Sequence, residues 1–182
     1  MLHMEQKDYI MEILGVLMEG EGHIRGIAKK LGTNHMMVLR KLKKLLDKNV
    51  VDFKREGKNQ IYSLKDTPEA RAFILMAENY KLVKCIEKYP YLKDVLKKIQ
   101  DDKKIKLAIL FGSHAKEQAR KDSDIDIFIE TLERKIKERY SELDSRLSIK
   151  IGKLGKDVLS KEIAMNHVII KGSELYYENA FN

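Results

Sequence analysis

A chain of 182 residues with 43% apolar content is long enough and apolar enough for one large or two small globular domains, which argues against a disordered or fibrous protein. The lone Cys85 rules out an internal disulfide, no run approaches the ~18 apolar residues of a membrane span, and Glu5, Lys7 and Asp8 occupy the place where a signal peptide is apolar, so the expected setting is the cytoplasm, with no membrane. The net charge of +8 is concentrated in one place: His23 to Lys65 holds twelve Lys/Arg against three acids, net +9, and the rest of the chain sums to −1, which is the footprint of a polyanion site.

The first predicted element is an amphipathic helix over residues 5–18, with Tyr9, Ile10, Ile13, Leu14, Leu17 and Met18 at helical spacing and Gly20-Glu21-Gly22 as its stop. Ile24, Ile27, Ala28 and Leu31 then form the stripe of a second helix, which Gly32 ends. Asn34 is placed to cap a third helix running to about Asp47. On that helix Val38, Leu39, Leu42, Leu45 and Leu46 share one arc, expected to be core, while Met36, Met37, Arg40, Lys41 and Lys44 lie opposite, expected to be exposed. Two β-prone runs follow in VVDFKREGKNQIYSLK, joined across Glu56-Gly57-Lys58-Asn59, which is hairpin chemistry.

Helix, helix, turn, helix, hairpin is the order of a winged helix-turn-helix. The stretch IRGIAKKLGTNHMMVLRKLKKLLDKNVVDFKREGKNQIYSL resembles the DNA-reading half of archaeal and bacterial winged-helix regulators, over roughly residues 5–66. The resemblance implies double-stranded DNA as partner, with Met36, Met37, Arg40, Lys41 and Lys44 of the third helix in the major groove and Arg55 and Lys58 of the wing near phosphate or the minor groove. It also implies a homodimer, for which the helix opened by Thr67-Pro68 and ending near Lys88 offers an interface. That helix and a shorter one marked by Leu92, Val95, Leu96 and Ile99 form a helical connector, residues 67–103, with no residues suggestive of chemistry.

From Ile105 to Phe111 the pattern is that of a strand, broken by Gly112-Ser113 and followed by a short helix around Ala115–Ala119. A second strand, Ile125 to Ile129, has period-two alternation that sets Ile125, Ile127 and Ile129 on a buried face and Asp124, Asp126 and Phe128 on the other. Two carboxylates facing one way repel unless a cation lies between them, and Mg²⁺ or Mn²⁺ suits such oxygen ligands and bridges phosphates. A glycine admits a phosphate close to the backbone, and the Ser113 hydroxyl donates to its oxygens. His114 reads equally as a phosphate contact or as an exposed turn residue. The Lys/Glu-rich segment 130–146 reads as a helix with a solvated face.

Gly-Ser, ten residues, then Asp-x-Asp, framed by apolar strands, resembles the nucleotidyltransferase superfamily of DNA polymerase beta, and most closely its minimal members, over about residues 104–178. Carried over position by position, Asp124 and Asp126 are the catalytic, metal-holding acids and Gly112 and Ser113 the nucleotide-binding turn, for a Mg²⁺-bound nucleoside triphosphate. Minimal members often stand as antitoxins that modify a paired toxin, which would make the acceptor a protein hydroxyl. One departure is plain. Active members carry a third carboxylate on a later strand, and the outward positions of Leu147 to Ile151 hold Ser148 and Lys150, with Asp144 or Asp157 as substitutes only in another register. Lys150→Asp is then expected to raise transfer.

The expected fold is α+β in three parts: winged helix-turn-helix 1–66, helical connector 67–103 and a nucleotidyltransferase-like domain with a mixed sheet, 104–182. Two functions remain open at this point. One is a DNA-binding regulator that transfers nucleotides; the other is a non-catalytic regulator whose degenerate domain only binds a nucleotide or a partner.

Overall fold

The computed structural model describes residues 7–131, 133 and 135–180, so the first two residues of the expected opening helix lie outside the described part. The chain divides into two compact units, Met1–Tyr80 and Lys81–Asn182, and the segment expected as a connector is shared between them.

In the first unit, α1 (Tyr9–Met18), β1 (Gly22–His23), α2 (Ile24–Leu31) and α3 (His35–Asp47) are followed by the hairpin β2 (Val51–Glu56) and β3 (Asn59–Leu64) and by the first part of α4 (Pro68–Lys88). Local chemistry sets the helix starts. Asp8 accepts from the Ile10 amide at 2.9 Å and Asn34 from the Met36 amide at 2.7 Å, each satisfying one orphan donor. The three strands lie in the order β1-β3-β2, all antiparallel, with Val51 opposite Leu64 and Glu56 opposite Asn59. That is the winged-helix topology. Its core is Ile13, Leu14, Leu17, Ile27, Val38, Leu42, Leu45 and Tyr62, so truncating a fully buried member such as Leu42 to alanine would cost about 2–5 kcal/mol. Leu39, expected in this core, is only half-buried.

The second unit contains the rest of α4, a 3₁₀ turn (Pro90–Leu92) and α5 (Lys93–Asp101), then β4 (Leu107–Leu110), α6 (Gly112–Ala115), β5 (Ile125–Glu130), α7 (Ile136–Ser141), β6 (Leu147–Gly152), α8 (Val158–Met165), β7 (Val168–Lys171) and α9 (Ser173–Ala180). The sheet is mixed, in the order β6-β5-β4-β7. β5 pairs with β6 in parallel, and β4 pairs with β5 and with β7 antiparallel. A parallel pair needs a crossover, and the stretch containing α7 provides it. The helix expected over 130–146 is confined to α7. Glu130 is instead held in β5 opposite Leu107 and Gly152, and a turn from the Leu147 amide to the Asp144 carbonyl closes the far end.

Both faces of this sheet are covered. Ile125, Ile127 and Ile129 pack with Ala108, Leu110, Leu96, Ile99 and Ile136 on one side. Phe128 is buried on the other among Leu107, Ile109, Ile163, Ile169 and Tyr176. On the face that carries Asp126, Phe128 is therefore covered, while Asp126 is half-buried and Lys150 of β6 is exposed.

Candidate functional site

β4 is buried throughout, and its ladder extends one step past its end, where the Phe111 amide donates to the Asp126 carbonyl at 3.0 Å. The chain then reverses at Gly112, with φ +68°. The reversal is crowded as well as left-handed: a Cβ at Gly112 would lie 2.6 Å from Asp126 Oδ2, so a glycine is required both for the conformation and for the approach of the carboxylate. The helix expected near 115–119 starts earlier, as α6. The amides of Lys116, Glu117 and Gln118 bond back to the carbonyls of Gly112, His114 and Ser113 at 3.1, 3.1 and 2.9 Å.

The turn thus brings Gly112 and Ser113 beside Asp126, a half-buried strand residue, while Asp124 stands exposed just before the strand. Among the described residues no group of three His, Cys, Asp or Glu gathers as a complete metal cage. The Asp126 carboxylate at a cradle too tight for a Cβ, with Asp124 exposed two residues before it, still fits Mg²⁺, which takes one or two carboxylates and completes its shell with water and substrate phosphates. An anionic phosphate seated on this turn would meet the Asp126 carboxylate directly, which is unfavourable without a cation between them.

The parallel register places the neighbouring strand. Ser148 lies opposite Asp126 and Lys150 opposite Phe128, on the same face as the acids. The residue beside Asp126 is therefore a serine, and the lysine is one step further along and exposed. The two possible substitutes for a third acid are committed elsewhere. Asp144 accepts a two-pronged pair from Arg146, Nε to Oδ1 at 3.0 Å and Nη2 to Oδ2 at 2.7 Å, which holds its carboxyl below the usual carboxylate range. Asp157 caps α8, accepting from the Ser160 amide at 2.8 Å and its hydroxyl at 3.0 Å, and these bonds lower its pKa too.

His114 is neither exposed nor free to meet a phosphate: it is 1% exposed, and its Nε2 lies 2.8 Å from Tyr91 Oη. Burial holds its pKa below the ordinary imidazole value; the Arg146 charge acts the same way, against the Asp124 carbonyl and the Asp126 carboxylate. Tyr91 and Arg146 were not singled out from the sequence. They stand 23 and 32 positions from His114, and no spacing rule links them.

In the first unit the basic face is largely as the helical wheel predicts. Arg40 and Lys44 are exposed, Lys41 half-buried, and Met36 is 58% exposed. Met37 and Lys41, one turn apart at the edge of the Val38 stripe, are the exceptions: both are half-buried, and Met37 packs in part against the core. A depression of about 410 Å³ on this helix is lined by Asn34, Met36, Met37, Leu39, Arg40 and Lys43. Lys43, three residues after Arg40 and seven after Met36, shares their face and joins the basic set. On the wing, Arg55 and Lys58 are exposed, whereas Lys54 is tied to Glu21 at 2.7 Å and Glu56 at 3.3 Å.

Residues 93–181 match the family of polymerase beta nucleotidyltransferases. The C-terminal half is a nucleotidyltransferase-family domain. The match opens at Lys93, the first residue of α5, and runs through the sheet. No curated protein matches the chain. Among solved structures, the chain is similar to the homodimeric winged helix-turn-helix DNA-binding domain Mb0332 of Mycobacterium bovis, described as a possible ArsR-family transcriptional regulator. The two are 32% identical over 36% of this chain and 61% of that one, with a TM-score of 0.34. This chain therefore spans less than two thirds of that neighbour. Similarity extends to reduced HlyU from Vibrio cholerae, 19% identical over 43% of this chain and 79% of that one, TM-score 0.37. It extends also to Sso10a-2, a DNA-binding protein of Sulfolobus solfataricus, 19% identical over 50% and 97%, TM-score 0.36. Among the described residues no helix is long and apolar enough to cross a membrane.

Proposed function

We propose that the chain is a DNA-binding regulator whose nucleotidyltransferase domain binds a nucleoside triphosphate with Mg²⁺ or Mn²⁺ and transfers the nucleotide to a hydroxyl acceptor. The observation that carries the catalytic half is the fit of Gly112 against Asp126, where no Cβ could stand. Asp124 and Asp126 would hold the ion; Ser113 and the Gly112 backbone would orient the phosphates. The bound ion supplies charge neutralisation on the triphosphate. In the transfer, the acceptor oxygen forms a bond to the α-phosphorus, the bond from that phosphorus to the pyrophosphate breaks, and the hydroxyl proton passes to solvent, since β6 presents Ser148 and Lys150 in place of a further carboxylate. A protein acceptor, such as a paired toxin, fits this chemistry, and the cytoplasm supplies both DNA and nucleotides.

The DNA half rests on the exposed Met36, Arg40, Lys43 and Lys44 of α3 and on Arg55 and Lys58 of the wing, a basic face on a winged-helix scaffold. Two half-sites read by a homodimer, with α4 as the interface, complete the reading. A second reading, nucleotide binding without transfer, is favoured by one observation, the serine opposite Asp126. Incubation with each α-labelled nucleoside triphosphate, Mg²⁺ or Mn²⁺, and an acceptor protein separates them. Label incorporated by wild type and lost in Asp124→Asn supports transfer; nucleotide retained without incorporation supports the binding-only reading.

A further inference from the structure

Behind the Gly112-Ser113 turn lies a set of buried and half-buried side chains that the metal and phosphate chemistry does not use. His114, next to Ser113, has its ring edge-on to Tyr89 at 5.0 Å and to Tyr91 at 6.1 Å. Its Nε2 is 2.8 Å from Tyr91 Oη, and its Nδ1 is buried without a hydrogen bond. A phenol can donate to Nε2, and a neutral imidazole then carries its single proton on Nδ1.

Tyr91 is held in turn. The Arg146 guanidinium lies over its ring at 4.7 Å, within cation–π range. Arg146 grips the loop that presents Asp124 at both ends: Nη1 donates to the Lys121 carbonyl at 2.7 Å, and the Arg146 carbonyl accepts the Ile125 amide at 2.8 Å. The fork to Asp144 fixes the guanidinium in that pose. One connected path therefore runs from Ser113 through His114, Tyr91 and Arg146 to the loop of Asp124. The turn and the acid sit on different segments, and this path ties them by side chains as far as the Lys121 carbonyl, while the bond from the Ile125 amide to the Arg146 carbonyl continues the β5–β6 ladder.

We propose that Tyr91 is a positioning residue: its hydroxyl on His114 and its ring under Arg146 set the placement of the Ser113 turn relative to the Asp124 loop. It touches neither nucleotide nor metal. Groups that orient metal-holding residues from behind typically change metal affinity by about 10–100-fold when removed. The consequence for affinity rests on the nucleotide reading above; the placement itself does not.

The test is Tyr91→Phe in the full chain, which keeps the ring and its cation–π contact and removes only the hydroxyl, with His114→Gln, which restores an acceptor near the Nε2 position, and His114→Leu, which does not. Hydrogen exchange on the free protein is read at the Lys116, Glu117 and Gln118 amides and at the Arg120 and Ser123 amides, the bonds that define the turn and the loop. In Tyr91→Phe and His114→Leu both sets exchange faster together by about tenfold, with His114→Gln nearer wild type, and the Mg²⁺ concentration that half-saturates ATP binding rises by about tenfold. Exchange that quickens in neither set, or in the turn alone, overturns the proposal. So does a Tyr91→Phe protein with faster exchange but wild-type Mg²⁺ dependence, because placement would then not matter to the site. If wild type binds no Mg²⁺–ATP while both sets still quicken together, the nucleotide reading fails and the tie stands.

Discussion

Gly112→Ala and Gly57→Ala form a matched pair that separates backbone strain from the making of a site. Gly57 is at the first central position of the β2–β3 turn with φ +58°, and nothing lies within 4 Å of where its Cβ would stand. Gly112 has φ +68°, but its Cβ would be 2.6 Å from Asp126 Oδ2 and 3.4 Å from Asp126 Cγ. An L-residue forced left-handed costs roughly 1–2 kcal/mol, so that penalty is common to both variants. Only in Gly112→Ala must a neighbour move as well. The Asp126 carbonyl is held by the Phe111 amide, so the carboxylate rather than the strand gives way, turning off its rotamer at a cost of about 0.5–1.5 kcal/mol. The expected destabilisation is therefore about 1–2 kcal/mol for Gly57→Ala and about 1.5–3.5 kcal/mol for Gly112→Ala. The chain has no Trp, so far-UV circular dichroism in urea is the natural stability assay, read alongside titration with Mg²⁺ and ATP. Gly112→Ala should lose metal-dependent ATP binding under conditions where it is still folded, and Gly57→Ala should keep it. A folded Gly112→Ala protein that binds like wild type would refute the reasoning, since Asp126 would then not need its present place beside the turn.

Binding to random duplex should weaken steeply with salt, and Arg40→Ala, Lys43→Ala or Lys58→Ala should each reduce the slope of log K against log salt by about one unit in fluorescence anisotropy; a salt-independent signal, or none at low salt, goes against the α3 interface. Ser148→Asp, which sets a carboxylate opposite Asp126, should raise any label transfer by about tenfold or more, and Lys150→Asp, opposite Phe128, by less; equal or absent effects would remove the third-acid account. Cys85 is 5% exposed and burial pushes its thiol up to about 11, so iodoacetamide should leave it unmodified at pH 8 in the native protein and label it fully in denaturant; native labelling at the rate of a free thiol would contradict its place in the core.

The features legible in the sequence were those governed by local periodicity. The stripe Val38, Leu42 and Leu45 is buried as its helical spacing requires, Asn34 caps α3, and Ile125, Ile127 and Ile129 share one buried face. Period-two alternation described only one face of β5, however. It could not show that α8 and α9 cover the other, so Phe128 is buried while Asp126 stays half-buried. Met37 and Leu39 lie at the margin of the α3 stripe, where a wheel cannot separate half-buried from exposed. The pairing of Asp126 with Ser148 is a parallel register set by a crossover, and the tie through Tyr91 and Arg146 joins residues far apart in the chain; neither is written in local spacing. The segment 130–146 had helical composition, but the sheet took its first residue into β5 and the Asp144 turn ended it.

The central claim is that Gly112-Ser113 and the two acids form one metal–nucleotide site. Isothermal titration of the full chain with ATP, CTP, GTP and UTP, with Mg²⁺ and then with EDTA, for wild type and for Asp124→Asn with Asp126→Asn, tests it most directly. The account predicts binding of at least one nucleotide that requires Mg²⁺ and vanishes in the double variant, with the melting temperature unchanged or raised because two facing carboxylates no longer repel. Binding that persists without metal, or in the double variant, would contradict it.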